Sequence, residues 1–125
     1  MARVRLSLYL GELEQKLGPG KVRLLEAVRE HGSISAAARE MGMAYRHAWL
    51  LIDELNACFA EPLVEVTIGG RAGGGAALTP WGEELCRRFH RIEAATRRAI
   101  ARDLSALEAR VAKPRRRKVR SRARP

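Results

Sequence analysis

The chain has little that would make it a membrane protein, a secreted module or an enzyme. No stretch approaches the about 18 consecutive apolar residues that a membrane span needs. The opening "MARVRLSLYLGELEQKL" is interrupted by Arg3, Arg5, Glu12 and Glu14, so it lacks the apolar core and small-residue cleavage site of a signal peptide. A cytoplasmic location is expected. Two cysteines, Cys58 and Cys86, allow at most one bridge, and without a secretion signal both are expected as buried free thiols. His31, His47 and His90 do not cluster with them at ligand spacing, and Cys86-x3-His90 alone cannot complete a zinc site of four protein ligands. We therefore expect no metal and no cofactor. No nucleophile, base and oxyanion donor fall into a recognisable arrangement, so enzymatic activity has no support.

What is present is charge, unevenly placed. The 125 residues suit one domain, and 46% hydrophobic with 30% charged residues is ordinary for a globular chain. The net charge is +10, but residues 113–125, "KPRRRKVRSRARP", carry eight Lys or Arg and no acid. Residues 1–112 keep 16 basic against 14 acidic residues, a nearly neutral body. Such a tail cannot bury enough apolar surface to offset its ordering entropy, so we expect a structured domain over 1–112 and a disordered basic tail over 113–125. It serves either as a solvated solubility segment or as a polyanion contact that releases counterions from phosphate backbones.

Along the body, "RVRLSLYL" alternates Val4, Leu6, Leu8 and Leu10 with Arg3, Arg5, Ser7 and Tyr9, the period of a half-buried strand. A helix through Leu6, Leu10, Leu13 and Leu17 competes with it; the strand is preferred. "GPGK" breaks the chain before "KVRLLEAVREHG", a helix with Val22, Leu25 and Val28 on one face and Gly32 at the left-handed cap. "SISAAAREMG" is a short second helix, with Ser33 or Ser35 as N-cap, Ile34, Ala37, Ala38 and Met41 as its stripe and Gly42 as its stop. A third, "MAYRHAWLLIDELNACF", buries Ala48, Ile52, Leu55 and Phe59, with Trp49 beside them in the core and Arg46, His47, Asp53 and Glu54 facing away. The three or four residues between the second and third helices impose a steep crossing, which is helix-turn-helix geometry, although any small helical bundle contains tight corners.

Beyond Pro62, "LVEVTI" reads as a strand and "AAL" as its short partner. Between them, Gly69 to Gly75 hold five of the eleven glycines. They are not a phosphate loop: Gly69 and Gly74 have the spacing, but Gly75 and Ala76 follow where Lys and Ser or Thr are required. The Gly-x-Gly-x-x-Gly pattern of dinucleotide sites fails in every register. A strand on each side of a glycine-rich tip is a hairpin, and beside a helix-turn-helix a hairpin is a wing, with Arg71 as the cation at its tip. "LTPWGEEL" then starts a helix, with Thr79 as N-cap and Pro80 at the first position. Leu85, Phe89, Ile92, Ala99, Ile100, Leu104, Leu107 and Val111 trace one apolar stripe along it. A helix near 30 residues long exceeds so small a core, so part of that stripe requires a second copy of the chain or stays half-exposed. The fold class is α+β, mainly helical: a winged helix-turn-helix with a β-hairpin wing and a long carboxy-terminal dimerisation helix.

"LLEAVREHGSISAAAREMGMAYRHAWLLIDELN" followed by "GGRAGGGAALTPWGEEL" closely resembles the amino-terminal winged helix of ModE-type molybdate-responsive transcription regulators, and more distantly LysR-type DNA-binding domains. The resemblance spans roughly residues 18 to 95 and implies a homodimeric, sequence-specific regulator bound to double-stranded DNA. It puts Tyr45, Arg46 and His47 at the start of the recognition helix, Ser33 and Ser35 near phosphates, and Arg71 with Gly73, Gly74 and Gly75 on the wing. Arg46 is the candidate for guanine or phosphate and Ala44 for a thymine methyl. Phe89, Ile92, Ile100, Leu104 and Leu107 are the candidate dimer interface. ModE-type regulators sense molybdate through carboxy-terminal oxyanion-binding modules; this chain ends in arginines at 125, so no molybdate site is expected in it. Architectural nucleic-acid binding through the arginine tail, or docking of the helix-turn-helix on a protein, are the other readings.

Overall fold

The computed structural model describes residues 2–11, 16–67 and 75–113. Four helices and one hairpin follow in the order α1 (Pro19–His31), α2 (Ile34–Met41), α3 (Tyr45–Cys58), β1 (Val64–Thr67), β2 (Gly75–Leu78) and α4 (Pro80–Glu108). The boundaries fall where local chemistry puts them. Pro19 opens α1, and Gly32 closes it at φ 73, where an L side chain would be strained. Gly42 ends α2 in the same way at φ 69. Thr79 caps α4, its Oγ1 accepting from the Gly82 N–H at 2.9 Å, with Pro80 in the first turn.

Val22, Leu24, Leu25 and Val28 of α1 form the centre of the core. Ala37 and Ala38 of α2, Ala48, Ile52 and Leu55 of α3, Leu63 and Val64, and Leu85, Cys86 and Phe89 of α4 close around them. The methyl side chains of Ala37, Ala38 and Ala48 let α2 and α3 approach closely. The hairpin is antiparallel, with Val64 opposite Leu78 and Thr67 opposite Gly75. Its base is tied to the α1–α2 corner by the Ala76 N–H, which donates to the Gly32 carbonyl at 2.8 Å.

The amino-terminal segment departs from the strand expected. Val4, Leu6 and Leu8 are half-buried and Arg3 and Arg5 exposed, as alternation requires, but Ser7 is half-buried as well and Leu10 is exposed. Among the described residues its pairing is a single antiparallel bridge, Leu8 with Leu17, through two bonds of 2.8 Å. The chain enters α1 two residues after Leu17 and offers no longer strand to pair with. Farther back, the Ala2 N–H donates to Glu108 Oε1 at 2.7 Å, so this segment reaches the far end of α4.

Helix α4 outruns the core, as its length requires. Its buried residues, Gly82, Leu85, Cys86 and Phe89, all lie in the first ten positions. Residues 90–108 extend about 28 Å beyond them at 1.5 Å per residue, held at their root by His90. His90 Nε2 lies 2.7 Å from Glu26 Oε2 on α1, and its Nδ1 3.0 Å from Glu93 Oε1. Arg29 Nη1 to Glu83 Oε1, at 3.0 Å, makes a second α1–α4 tie. Of the two thiols expected to be buried, one departs from expectation. Cys86 is buried, and that burial pushes its pKa up to about 11, but Cys58 near the end of α3 is exposed. No helix among the described residues is long and apolar enough to cross a membrane.

Candidate nucleic-acid interface

The site is built on the turn between α2 and α3. Gly42 in the left-handed region lets the chain reverse, its N–H reaching the Ala38 and Arg39 carbonyls, and the Met43 N–H adds a 3.0 Å bond to the Ala38 carbonyl. Ala44 is extended at φ −67, ψ 144 and accepts from Ala48 N–H as α3 begins. Three residues thus separate the two helices, the tight corner that the sequence requires. The first turn of α3 then presents Tyr45, Arg46 and His47 to solvent together, with Ala44 exposed beside them.

At the start of α2, Ser33 settles the choice of cap: its Oγ accepts from the Ala36 N–H at 3.0 Å. Its O–H remains a donor that a phosphate oxygen can accept. Ser35 is exposed, and its Oγ accepts from Arg39 Nη1 at 3.3 Å. Gly75, half-buried at the start of β2, packs against Gly32, where an added Cβ would come within 3.4 Å of the Gly32 carbonyl oxygen. The wing base and the Ser33 cap therefore share one corner. Arg71, Gly73 and Gly74 lie outside the described residues, as does the tail beyond residue 113.

Two sequence expectations are corrected here. Trp49, expected in the core, is 38% exposed. At about 100° per residue it falls roughly 90° around α3 from the mean direction of Ala48, Ile52 and Leu55, and so at the margin of the buried arc. Phe89, expected at a dimer interface, is 1% exposed and packs inside the monomer core, so it has no surface to offer. Of the other interface candidates, Ile92 and Leu107 are exposed and Ile100 and Leu104 half-buried.

One positioning residue carried no sequence signal. Asn56, on the half-buried side of α3, accepts from the N–H groups of Leu63 and Val64 at 2.8 and 3.2 Å and donates to the Val64 carbonyl at 3.1 Å. It fastens the approach to β1 onto the helix that presents Arg46. A lone Asn among apolar residues reads as neither a cap nor a turn, and only the return of β1 reveals its partners.

Comparison with known proteins follows this geometry. The bacterial regulatory helix-turn-helix protein family of the lysR type matches residues 20–83, from α1 through the first turn of α4. The chain belongs to that family. Within it, the similarity to ModE-type regulators is direct. The chain is 45% identical over 93 residues to the molybdenum-pterin-binding protein MopB of Rhodobacter capsulatus, covering 74% of this chain and 33% of that protein. It is 38% identical over 93 residues to the molybdenum transport protein ModE of Azotobacter vinelandii, covering 74% and 33%. With the DNA-binding transcriptional dual regulator ModE of Escherichia coli K12 the identity is 40% over 80 residues, covering 62% and 30%. The chain thus spans about a third of the length of the relatives it matches. The matched segment holds the helix-turn-helix and the hairpin, whereas most of α4 lies outside it.

Proposed function

We propose that this chain is a homodimeric, sequence-specific double-stranded-DNA-binding transcription regulator. The observation that carries the reading is the α2–α3 corner. A three-residue turn begins at Gly42, where α2 stops, and turns Tyr45, Arg46 and His47 outward on one helix end, with no acid in that first turn. Inserted in a major groove, α3 offers Arg46 to guanine and Ala44 to a thymine methyl. Ser33 and Ser35 meet phosphates at the α2 start, and Arg71 with Gly73, Gly74 and Gly75 lies along the flanking backbone. Ile92, Ile100, Leu104 and Leu107 supply the surface on which two α4 helices meet.

Arg46→Ala tests it. A bidentate guanine contact discriminates by about 1–3 kcal/mol, so the variant should lose that much on a preferred duplex and far less on random DNA. Equal loss on both would remove the base-reading role. The eight basic residues of 113–125 favour a second reading, nonspecific binding through the tail. A chain ending at Ala112 separates the two: the salt slope of binding should flatten while sequence preference survives. Loss of all preference on truncation would support the architectural reading.

A further inference from the structure

The solvent face of α3 is not a cationic surface. At about 100° per residue, Arg46, Leu50 and Asp53 fall within roughly 60° of one another, and their common direction is about 160° from that of the buried Ala48, Ile52 and Leu55. Leu50 is 53% exposed in the middle of this row, and Arg46 and Asp53 are exposed on either side of it. A helix face laid on phosphates would carry cations, and Asp53 would be repelled there. Base edges present a different sequence of chemistry: acceptors on guanine, a methyl on thymine, and amino donors on cytosine and adenine. A guanidinium, an isobutyl group and a carboxylate in one row match those three in kind.

Resting on the DNA-binding reading, we infer that Leu50 is a specificity-determining residue that reads the methyl group of a thymine. Leu50 lies about 6 Å along the helix from Arg46. Base pairs rise about 3.4 Å each, so the thymine stands about two base pairs from the guanine that Arg46 contacts. Leu50 is outside the buried core, so its truncation leaves the fold intact. It is also a different residue from Ala44, whose methyl contact would belong to another position.

The test uses the full chain and a duplex that it selects from a random-sequence library. Each thymine of that duplex is replaced in turn by deoxyuridine, which removes the C5 methyl and keeps the pairing, and affinity is read by fluorescence anisotropy. Besides any thymine that Ala44 contacts, one thymine per half-site should cost the wild type about fourfold when replaced, the scale of one methyl lost from an apolar contact. In Leu50→Ala that same replacement should cost nothing, while the penalty at the Arg46-dependent guanine persists. The inference is overturned if no deoxyuridine weakens wild-type binding, or if every such penalty survives in Leu50→Ala. It is equally overturned if Leu50→Ala changes the oligomeric state and leaves base discrimination untouched. Loss of discrimination at guanine in Arg46→Ala alongside any of these outcomes keeps the DNA-binding reading and removes only Leu50. A library that yields no preferred sequence removes both.

Discussion

Gly82 is where a single methyl group should do most harm. A Cβ there would run into the Leu63 carbonyl oxygen and sit 3.2 Å from the Leu63 carbonyl carbon and 3.3 Å from Leu78 Cβ. Two of these atoms are backbone and cannot rotate aside, so the first turn of α4 must back away from the approach to β1. That movement breaks the Thr79 N–H bond to the Leu63 carbonyl at 2.9 Å and the Thr79 Oγ1 bond to the Pro62 carbonyl at 2.7 Å. Overpacking costs about 1–3 kcal/mol and each lost hydrogen bond about 1 kcal/mol. The better helix propensity of alanine returns about 1 kcal/mol. Gly82→Ala should therefore lose about 3 kcal/mol, and at about 4–8 °C per kcal/mol its melting temperature should drop by more than about 10 °C. Gly20→Ala is the matched control: it is also a helical glycine, but its Cβ would meet nothing within 4 Å, so it should gain about 0.5–1 kcal/mol. Urea unfolding of the three proteins decides the matter. A Gly82→Ala stability within about 0.5 kcal/mol of wild type would refute the close packing of α4 on Leu63.

Removing the α2 cap with Ser33→Ala should cost about 1 kcal/mol in urea unfolding, whereas Ser35→Ala should stay within about 0.5 kcal/mol; equal losses would mean that Ser33 is not the cap. The hydrogen bond to Glu26 raises the His90 pKa above its ordinary 6.5, with Glu93 adding to it and partial burial opposing. A folded pKa above the unfolded one gives stability that is complete below the unfolded value and is lost as pH rises through the folded one. The stability advantage of wild type over His90→Gln should therefore shrink as pH rises above the ordinary 6.5 and through the raised folded value, and an advantage that stays constant as pH rises would show that the Glu26 contact is not an ion pair.

The order of elements was legible because each boundary is written in local chemistry. Gly32, Gly42, Thr79 and Pro80 act through their own backbone and their nearest neighbours, and all four do in the fold what their residue types require. The helix-turn-helix corner follows from Gly42 and the small faces of Ala37 and Ala38 in the same way. Errors arose where a side chain's environment depends on distant chain. Phe89 belongs to an apolar stripe that runs the whole length of α4, and nothing in the period says where the core ends and the protruding part begins. Trp49 sits at the margin of its helix's buried arc, where size argues for burial and angle against it. Alternation in residues 3–10 gave the right faces over Arg3 to Leu6 but not at Ser7 or Leu10, and the wrong element, since a strand needs a partner as well as a pattern.

Helices α3 and α4 are joined through Leu63. Asn56 on α3 accepts from the Leu63 N–H at 2.8 Å, and the Leu63 carbonyl accepts from Thr79 N–H at 2.9 Å and from its Oγ1 at 3.3 Å, at the start of α4. Gly82 keeps that carbonyl within reach of the helix. Bonds in series, part-buried at Asn56 and buried at Thr79, leave little room for α4 to swing relative to α3. In a twofold dimer built on α4, the separation of the two α3 helices would then be fixed by this junction. Half-sites on DNA repeat at about one helical turn or multiples of it, so an arm that swung freely would weaken discrimination between spacings. A dimer of Asn56→Ala should accordingly keep the base preference proposed for Arg46 and Leu50, while tolerating half-site spacings one base pair longer or shorter than wild type accepts. Binding to a panel of spaced palindromes measures this, and an unchanged spacing optimum with the same sharpness would show that the arm is oriented by other contacts.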